Sequence, residues 1–374
     1  MEVLGTVLAF LAVLVVLVLV HELGHFVAAK RAGITVQEFG IGFPPRITSV
    51  VWHGTRYSLN WIPLGGFVKM LGEDGDSEAE KMRERGLSEA AVDKALEGAF
   101  NRKPIGVRMV VLLAGVVMNF LLAGVLFSVA LAMPVPEGRG PLTVTQIQAD
   151  SPAEDVLQVG DRIVSADGRT FAASAALTEY VRSRAGNEVT LGIERDGSTI
   201  EVTVTPRELT DRDIAQGKGA IGFSYEPERF VEMPSSVNGP IDAVVKGFTE
   251  AGYLAVQIPG GLAEAVGGLL GLNESAGAAA GPIGIAAETG RQLQAPLVSQ
   301  LIFVGILSVN LAVLNVLPFP PLDGGRIAVV LIEAVRRRKL PAEREAMIYL
   351  TGFMVLIALV ILISIQDVQR LIEG

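Results

Sequence analysis

The sequence predicts an α-helical integral membrane protein with four transmembrane helices, a β-hairpin insert and one small α+β domain. Three observations predict it. Half of the residues are hydrophobic, with a mean hydropathy of +0.46. That apolar content is gathered into four blocks, Val3–Val20, Val107–Met133, Pro296–Leu317 and Met347–Ile365, each close to the ~20 residues that a helix needs to cross a ~30 Å hydrocarbon layer. Between the second and third blocks the pattern changes to short β-rich runs broken by turn residues.

The first block, taken with its continuation as residues 1–33, is a span rather than a secretory leader. Glu2 stands where a basic n-region belongs, and no small-residue cleavage site follows. Lys30, Arg31, Arg46, Arg56, Lys69, Arg102, Lys103 and Arg108 lie between the first two spans, and Arg326, Arg336, Arg337, Arg338, Lys339 and Arg344 between the last two. Both segments are therefore expected on the cytoplasmic side, and the long middle segment on the outer side.

Residues 34–106 alternate apolar and polar positions with Gly and Pro punctuation, as in Gly40-Ile41-Gly42-Phe43-Pro44-Pro45, and then become charged and helix-prone from Glu73 to Leu96. They read as short strands followed by a solvated loop with a surface helix. The second span covers 107–134. Residues 135–228 form the small domain, with strands at Leu142-Thr143-Val144-Thr145, Val189–Ile193 and Thr199–Val204 and a turn at Asp196-Gly197. Residues 229–295 are amphipathic and Gly-rich, and Lys246, Glu250 and Glu264 argue against a fifth span there. A third span (296–326), a cytoplasmic loop (327–346) and a fourth span with its tail (347–374) complete the chain.

The chemistry is concentrated at the end of the first span. His21-Glu22-Leu23-Gly24-His25 holds two of the chain's three histidines. Residues four apart share a helical face, so both imidazoles can address one metal ion while Glu22 reaches a water on it. Such a site also needs a third ligand and an open position. Counting along the helix to Lys30 puts His21 roughly 13 Å short of the basic flank, inside the cytoplasmic leaflet. No cysteine exists to serve as ligand or nucleophile, and His53 sits beside Gly54 in a polar turn, where it reads as a surface residue. Asp323 is the candidate, at the matching depth, within Asn315-Val316-Leu317-Pro318-Phe319-Pro320-Pro321-Leu322-Asp323-Gly324-Gly325. Prolines and glycines there allow irregular backbone to hold a carboxylate at membrane depth, although Asp-Gly is also a common turn dipeptide. Histidine and carboxylate ligands favour Zn2+.

The His-Glu-x-x-His first span, the Asn-x-x-Pro-x-Pro-x-Leu-Asp-Gly element and the intervening domain together resemble the bacterial site-2 protease family, of the regulator-of-sigma-E protease type. The resemblance covers nearly the whole chain. It implies a zinc metalloendopeptidase in the bacterial inner membrane, with His21, His25 and Asp323 on the metal and Glu22 as catalytic base. It also implies single-span membrane protein substrates already trimmed by an upstream site-1-type protease, such as anti-sigma factors or signal-peptide remnants. Asn315 and Asn310 would hold substrate backbone; each amide can equally satisfy its own helix. Leu64-Gly65-Gly66-Phe67-Val68-Lys69-Met70 resembles the family's membrane-associated β-hairpin edge, which implies strand addition by an unwound substrate at Gly65, Gly66 and Phe67, or simply a cover over the site. Gly281-Pro282-Ile283-Gly284 matches a Gly-Pro-x-Gly element and reads as a structural bend.

Ser151-Pro152-Ala153, Gly160-Asp161-Arg162-Ile163-Val164 and Asp167-Gly168 resemble a bacterial PDZ domain, whose groove either binds extended peptide or acts as a steric gate. The chain departs from the family in two places. Asp155-Val156-Leu157-Gln158-Val159 replaces the usual Ala-Gly-Leu before the Gly-Asp turn, and Ala114-Gly115-Val116-Val117-Met118-Asn119 lacks the family's proline.

Other classes fit less well. The net charge of −9 gives no basic footprint for nucleic acid. A silent scaffold has no use for Glu22 beside the ligands, and a metal transporter would spread its carboxylates and histidines along a path across several spans.

Overall fold

Apolar residues on every face of a long segment leave a helix as the way to satisfy the backbone in lipid. Four segments obey that rule in the computed structural model, which describes residues 2–73, 77–209, 219–233, 235, 237–269, 280–338 and 340–373. They are α1 (Glu2–Arg31), α4 (Ile105–Ala132), α8 (Leu297–Val316) and α10 (Ala342–Glu373). Among the described residues these four helices are long and apolar enough to cross a membrane. The chain divides into two compact units, one of residues 1–131, 237–266 and 279–374 and the other of residues 132–236 and 267–278.

In the first unit, α1 and α4 approach so closely that side chains are excluded at the contact. A Cβ on Gly24 would collide with the carbonyl of Ala114, and one on Gly115 would collide with the His25 imidazole. Small residues at a membrane helix crossing allow such backbone approach. Below the crossing, Ala29, Ile34, Val36, Val68, Met70, Phe100, Val111, Leu112 and Val330 form one buried cluster that joins α1, α4 and the adjoining sheet to the helix that carries Asp323.

That sheet is formed by β1 (Val36–Trp52) and β2 (Thr55–Met70), turned by His53 and Gly54, which adopt φ of 46° and 75°. Two successive left-handed residues form the tight turn that suits a two-residue hairpin. The pairing is richer than one hairpin. Phe39 lies opposite both Val68 and Tyr57, and Ile41 opposite both Gly66 and Leu59, while residues 46–52 pair with 55–60. The result is a four-ply strip in the order 46–52, 55–60, 36–41 and 66–70, in which residues 66–70 have a ladder partner on one side only among the described residues. Two short helices follow, α2 (Ser77–Glu84) and α3 (Glu89–Ala95).

Residues 229–295 contain α6 (Pro240–Leu269) and α7 (Pro282–Gln292), and the remainder of that stretch lies partly outside the described residues. The Gly281-Pro282-Ile283-Gly284 element is the start of α7. The Gly281 and Gly284 amides donate to the Asp367 carboxylate of α10 at 3.1 and 2.8 Å, and a Cβ at either glycine would press on that carboxylate.

After α8 the chain does not run into a loop as the sequence suggested. A turn through Pro318–Pro321 leads to α9 (Asp323–Arg336), which occupies much of the segment read as cytoplasmic loop. Gly324 and Gly325 make this possible, since a Cβ on either would strike the backbone of the preceding turn. Two ion pairs then anchor α9: Arg326 with Glu73, and Arg108 with Glu333 at 2.9 Å.

The second unit is a five-stranded antiparallel sheet of β3 (Val135–Ile147), β4 (Arg162–Ala166), β5 (Val189–Arg195), β6 (Ser198–Val204) and β7 (Phe223–Met233), in the order β6-β5-β4-β3-β7. The helix α5 (Ser174–Ser183) packs Leu177 and Val181 into a core with Leu142, Ile163, Leu191 and Ile193. Asp196 and Gly197 turn β5 into β6 with φ of 50° and 77°. Asp161 is 1% exposed; burial pushes its carboxyl up, but Arg195 at 2.6 Å and the Gln158 amide at 2.8 Å hold it below the usual carboxylate range.

A carboxyl depressed in the folded state adds stability at neutral pH that is lost as pH falls. Asp161→Asn is therefore expected to destabilise this domain by about 2 kcal/mol at neutral pH, read by hydrogen exchange at the β4 and β5 amides. The gap from the parent protein should narrow as pH drops below the ordinary aspartate value of about 3.9.

Candidate metal centre

Residues at i and i+4 of a helix stand one above the other, and α1 accordingly presents His21 and His25 on one face, 6% and 5% exposed. Their rings meet edge to face with centroids 4.8 Å apart. From the first turn of α9, Asp323 brings one carboxylate oxygen, Oδ2, to 2.9 Å from His21 Nε2 and 3.1 Å from His25 Nε2, and the two nitrogens are 3.2 Å apart. These three atoms come from residues 302 and 298 positions apart in the chain.

The trio has the spacing of a metal face. Two nitrogens and a carboxylate oxygen at about 2.0–2.1 Å from zinc sit about 3.3 Å from one another at the corners of a tetrahedron, and the observed separations are slightly tighter. The protons are arranged to match. His25 Nδ1 lies 2.8 Å from the Val111 carbonyl, which can only accept, so Nδ1 carries the hydrogen and Nε2 turns its lone pair inward. On the other ring, Asn119 stands 3.4 Å from His21 Nδ1. Among the described residues this is the one group of three or more His, Cys, Asp or Glu placed to hold a metal.

Glu22 lies next to the trio along α1, and its carboxylate is within electrostatic reach of His21, His25, Asp323 and Glu73. The four-ply strip closes on it from the side. A Cβ at Gly66 would stand 3.7 Å from Glu22 Cγ and 3.6 Å from Leu19, and one at Gly65 would stand 3.6 Å from Val18. Phe67 stacks on Phe43 with ring centroids 6.3 Å apart. Gly65 and Gly66 are thus beside Glu22 and the preceding turn of α1, on the strand whose outer edge has no ladder partner among the described residues.

The asparagines behave differently. Asn315 Nδ2 donates to the Leu311 carbonyl and Asn310 Nδ2 to the Ile306 carbonyl, each at 3.0 Å, so both amides bond one turn back along α8. Neither is hydrogen-bonded to the trio among the described residues. His53 is exposed at the hairpin tip. Sequence reasoning did not assign three contributors. Gly115 clears space for the imidazoles, Asn119 backs His21, and the Glu73–Arg326 pair fixes α9 one turn after Asp323. The Gly115-x-x-x-Asn119 spacing, one turn of helix, was the available signal for the first two.

A profile of peptidase family M50 matches residues 9–359. The chain belongs to that family. It is 30% identical to the zinc metalloprotease RasP of Geobacillus kaustophilus, over 99% of both chains. It is 31% identical to the metalloprotease MmpA of Caulobacter vibrioides, over 97% of this chain and 95% of the relative. It is 29% identical to the regulator of sigma-W protease RasP of Bacillus subtilis, over 98% of this chain and 99% of the relative. A solved PDZ domain from a Listeria monocytogenes SdrC-like protein matches 23% of this chain and 87% of its own, at 24% identity and a TM-score of 0.20. The chain is thus a multi-pass membrane zinc metalloprotease, and Zn2+ is its cofactor.

Because Gly115 abuts both imidazoles, Gly115→Ala is expected to push them out of register. A shift near 1 Å costs on the order of 100-fold in rate, so proteolysis should fall by about that factor and zinc content, read by atomic emission, should fall with it.

Proposed function

We propose that this M50 enzyme is an intramembrane endopeptidase that hydrolyses peptide bonds within transmembrane segments of pre-trimmed single-span proteins. His21, His25 and Asp323 hold the zinc ion, and Glu22 is the general base. The observation that carries the reading is the convergence of the three donors, two of them within a membrane-length helix, beside a strand whose outer edge has no ladder partner among the described residues. When bound, zinc supplies a Lewis acid that polarises the substrate carbonyl and lowers the pKa of water.

The chain's own residues supply the rest. Glu22 takes the proton of the attacking water and returns it to the departing amine nitrogen. The crossing at Gly24 and Gly115 packs α4 directly against the two imidazoles, which are buried. A helical substrate shields its own carbonyls, so it must unwind to be cut, and residues 66–70 offer the replacement backbone partners. Gly65, Gly66 and Phe67 line that edge, while Asn315 and Asn310 at the neighbouring span can trade their one-turn-back bonds for substrate backbone.

The hairpin is read as membrane-associated. Trp52 and Trp61 are 63% and 67% exposed, with Val50 and Val51 beside them, and aromatic residues favour the lipid–water interface. Lys30 and Arg31 close α1 on the same side, which supports a site in the cytoplasmic leaflet of a bacterial inner membrane. The order of strands around α5 supports a PDZ reading for the second unit, with a groove lined by Gly140, Leu142, Ile163, Phe171 and Leu177, on the outer side of the membrane. The name of the Bacillus subtilis relative supports an anti-sigma factor as substrate class; the pre-trimming partner in this proposal is an upstream site-1-type protease.

The test incubates detergent-purified protein with single-span peptides. Glu22→Gln is expected to keep its zinc and lose cleavage by about 10²–10⁴-fold, whereas His25→Ala should lose both. Equal cleavage by Glu22→Gln and the parent would remove Glu22 from the mechanism.

A further inference from the structure

The two histidines on the metal face are supported unequally. His25 has a settled orientation, because its Nδ1 faces the Val111 carbonyl at 2.8 Å. His21 is as buried, and the polar group at its Nδ1 is the Asn119 side chain at 3.4 Å. A neutral imidazole carries one hydrogen, so a ring that turns its Nε2 lone pair to a metal must carry that hydrogen on Nδ1 and donate it. An amide nitrogen can only donate as well. With Nδ2 toward a ring in that tautomer, Asn119 would set donor against donor.

The rest of the Asn119 amide allows the opposite orientation, since no other side-chain bond among the described residues is broken by it. The residue is 0% exposed, and its Oδ1 has no hydrogen-bond partner among the described residues. Amide oxygen and nitrogen exchange places by a half-turn about one bond, and that half-turn puts Oδ1 on His21 Nδ1. The backbone at this position is fixed, since the Ser308 hydroxyl of α8 donates to the Asn119 carbonyl at 2.8 Å and is itself fully buried. One turn earlier on the same face, Gly115 leaves the space that lets α4 approach the rings.

We infer that Asn119 is a positioning residue, whose Oδ1 accepts the Nδ1 hydrogen of His21 and so holds that ring in the tautomer and orientation that bind the metal. It does for His21 what the Val111 carbonyl does for His25. The inference rests on the proposed ligand set. Partners of this kind are worth about 10–100-fold in metal affinity, and here the acceptor is a replaceable side chain.

The experiment titrates zinc into the full-length apo-protein in detergent, in competition with a chromogenic chelator, for four proteins. Asn119→Leu keeps the bulk and removes the acceptor, and it should weaken zinc about 10–100-fold. Asn119→Asp keeps an acceptor and cannot donate, and it should bind zinc at least as tightly as the parent. The parent and His21→Ala complete the set. Asn119→Leu binding zinc as tightly as the parent would overturn the inference, and so would Asn119→Asp binding ten-fold more weakly than the parent. The second variant decides the matter alone should the first fail to fold. Parent and His21→Ala binding zinc equally would instead sink the ligand set, an outcome separate from either of those.

Discussion

The architecture of the first unit depends on one close crossing, where the backbone of α1 at Gly24 meets that of α4 at Ala114 and Gly115. Lipid offers helices no hydrophobic reason to associate with each other, so close packing and internal hydrogen bonds must hold them together. Here the same contact sets the distance at which α4 can reach the imidazoles with the Val111 carbonyl and the Asn119 amide. Larger side chains would open the crossing and separate the metal face from its supports. Ser308 then ties α8 to the same point on α4, so α1, α4 and α8 are registered against one another close to His21.

Bringing Asp323 to this point is a second problem, solved by breaking the chain. The proline turn that follows α8 lets a new helix begin at Asp323 itself. The first turn of α9 packs so tightly on that loop that two successive glycines are required. Its anchors are ionic. Glu73, at the end of the sheet strip, grips Arg326, and Arg108 at the start of α4 grips Glu333. The strip that offers an edge beside Glu22 and the helix that carries Asp323 are therefore fastened to each other.

Local signals made much of this legible from the residues. The four membrane-length helices followed from continuous apolar runs, and the pairing of His21 with His25 from a helical repeat of one turn. Asp323 emerged from depth and sidedness, which are coarse properties that survive ignorance of the tertiary fold. What was hidden was non-local. Residues 36–41 serve two neighbours at once, and no alternation pattern encodes that. The helix α9 was obscured because Arg336, Arg337 and Arg338 and the opening Asp-Gly-Gly resemble a polar loop, whereas its buried face, with Val329 and Val330, is narrow. Gly115 and Asn119 sat in an apolar run whose inward face could not be told apart until α1 was laid against it. The amides of Asn310 and Asn315 were ambiguous in the residues and, bonded one turn back, keep both of their uses open to chemistry.

Asp367 carries a lesson for anyone who handles the gene. Its carboxylate reaches away from its own helix to close the amino end of α7 through the Gly281 and Gly284 amides. The far part of α10 is thus a clasp on a segment more than eighty residues upstream. Cutting that helix off before Asp367, or replacing this one carboxylate, would disturb a joint whose other half lies far away in the primary structure.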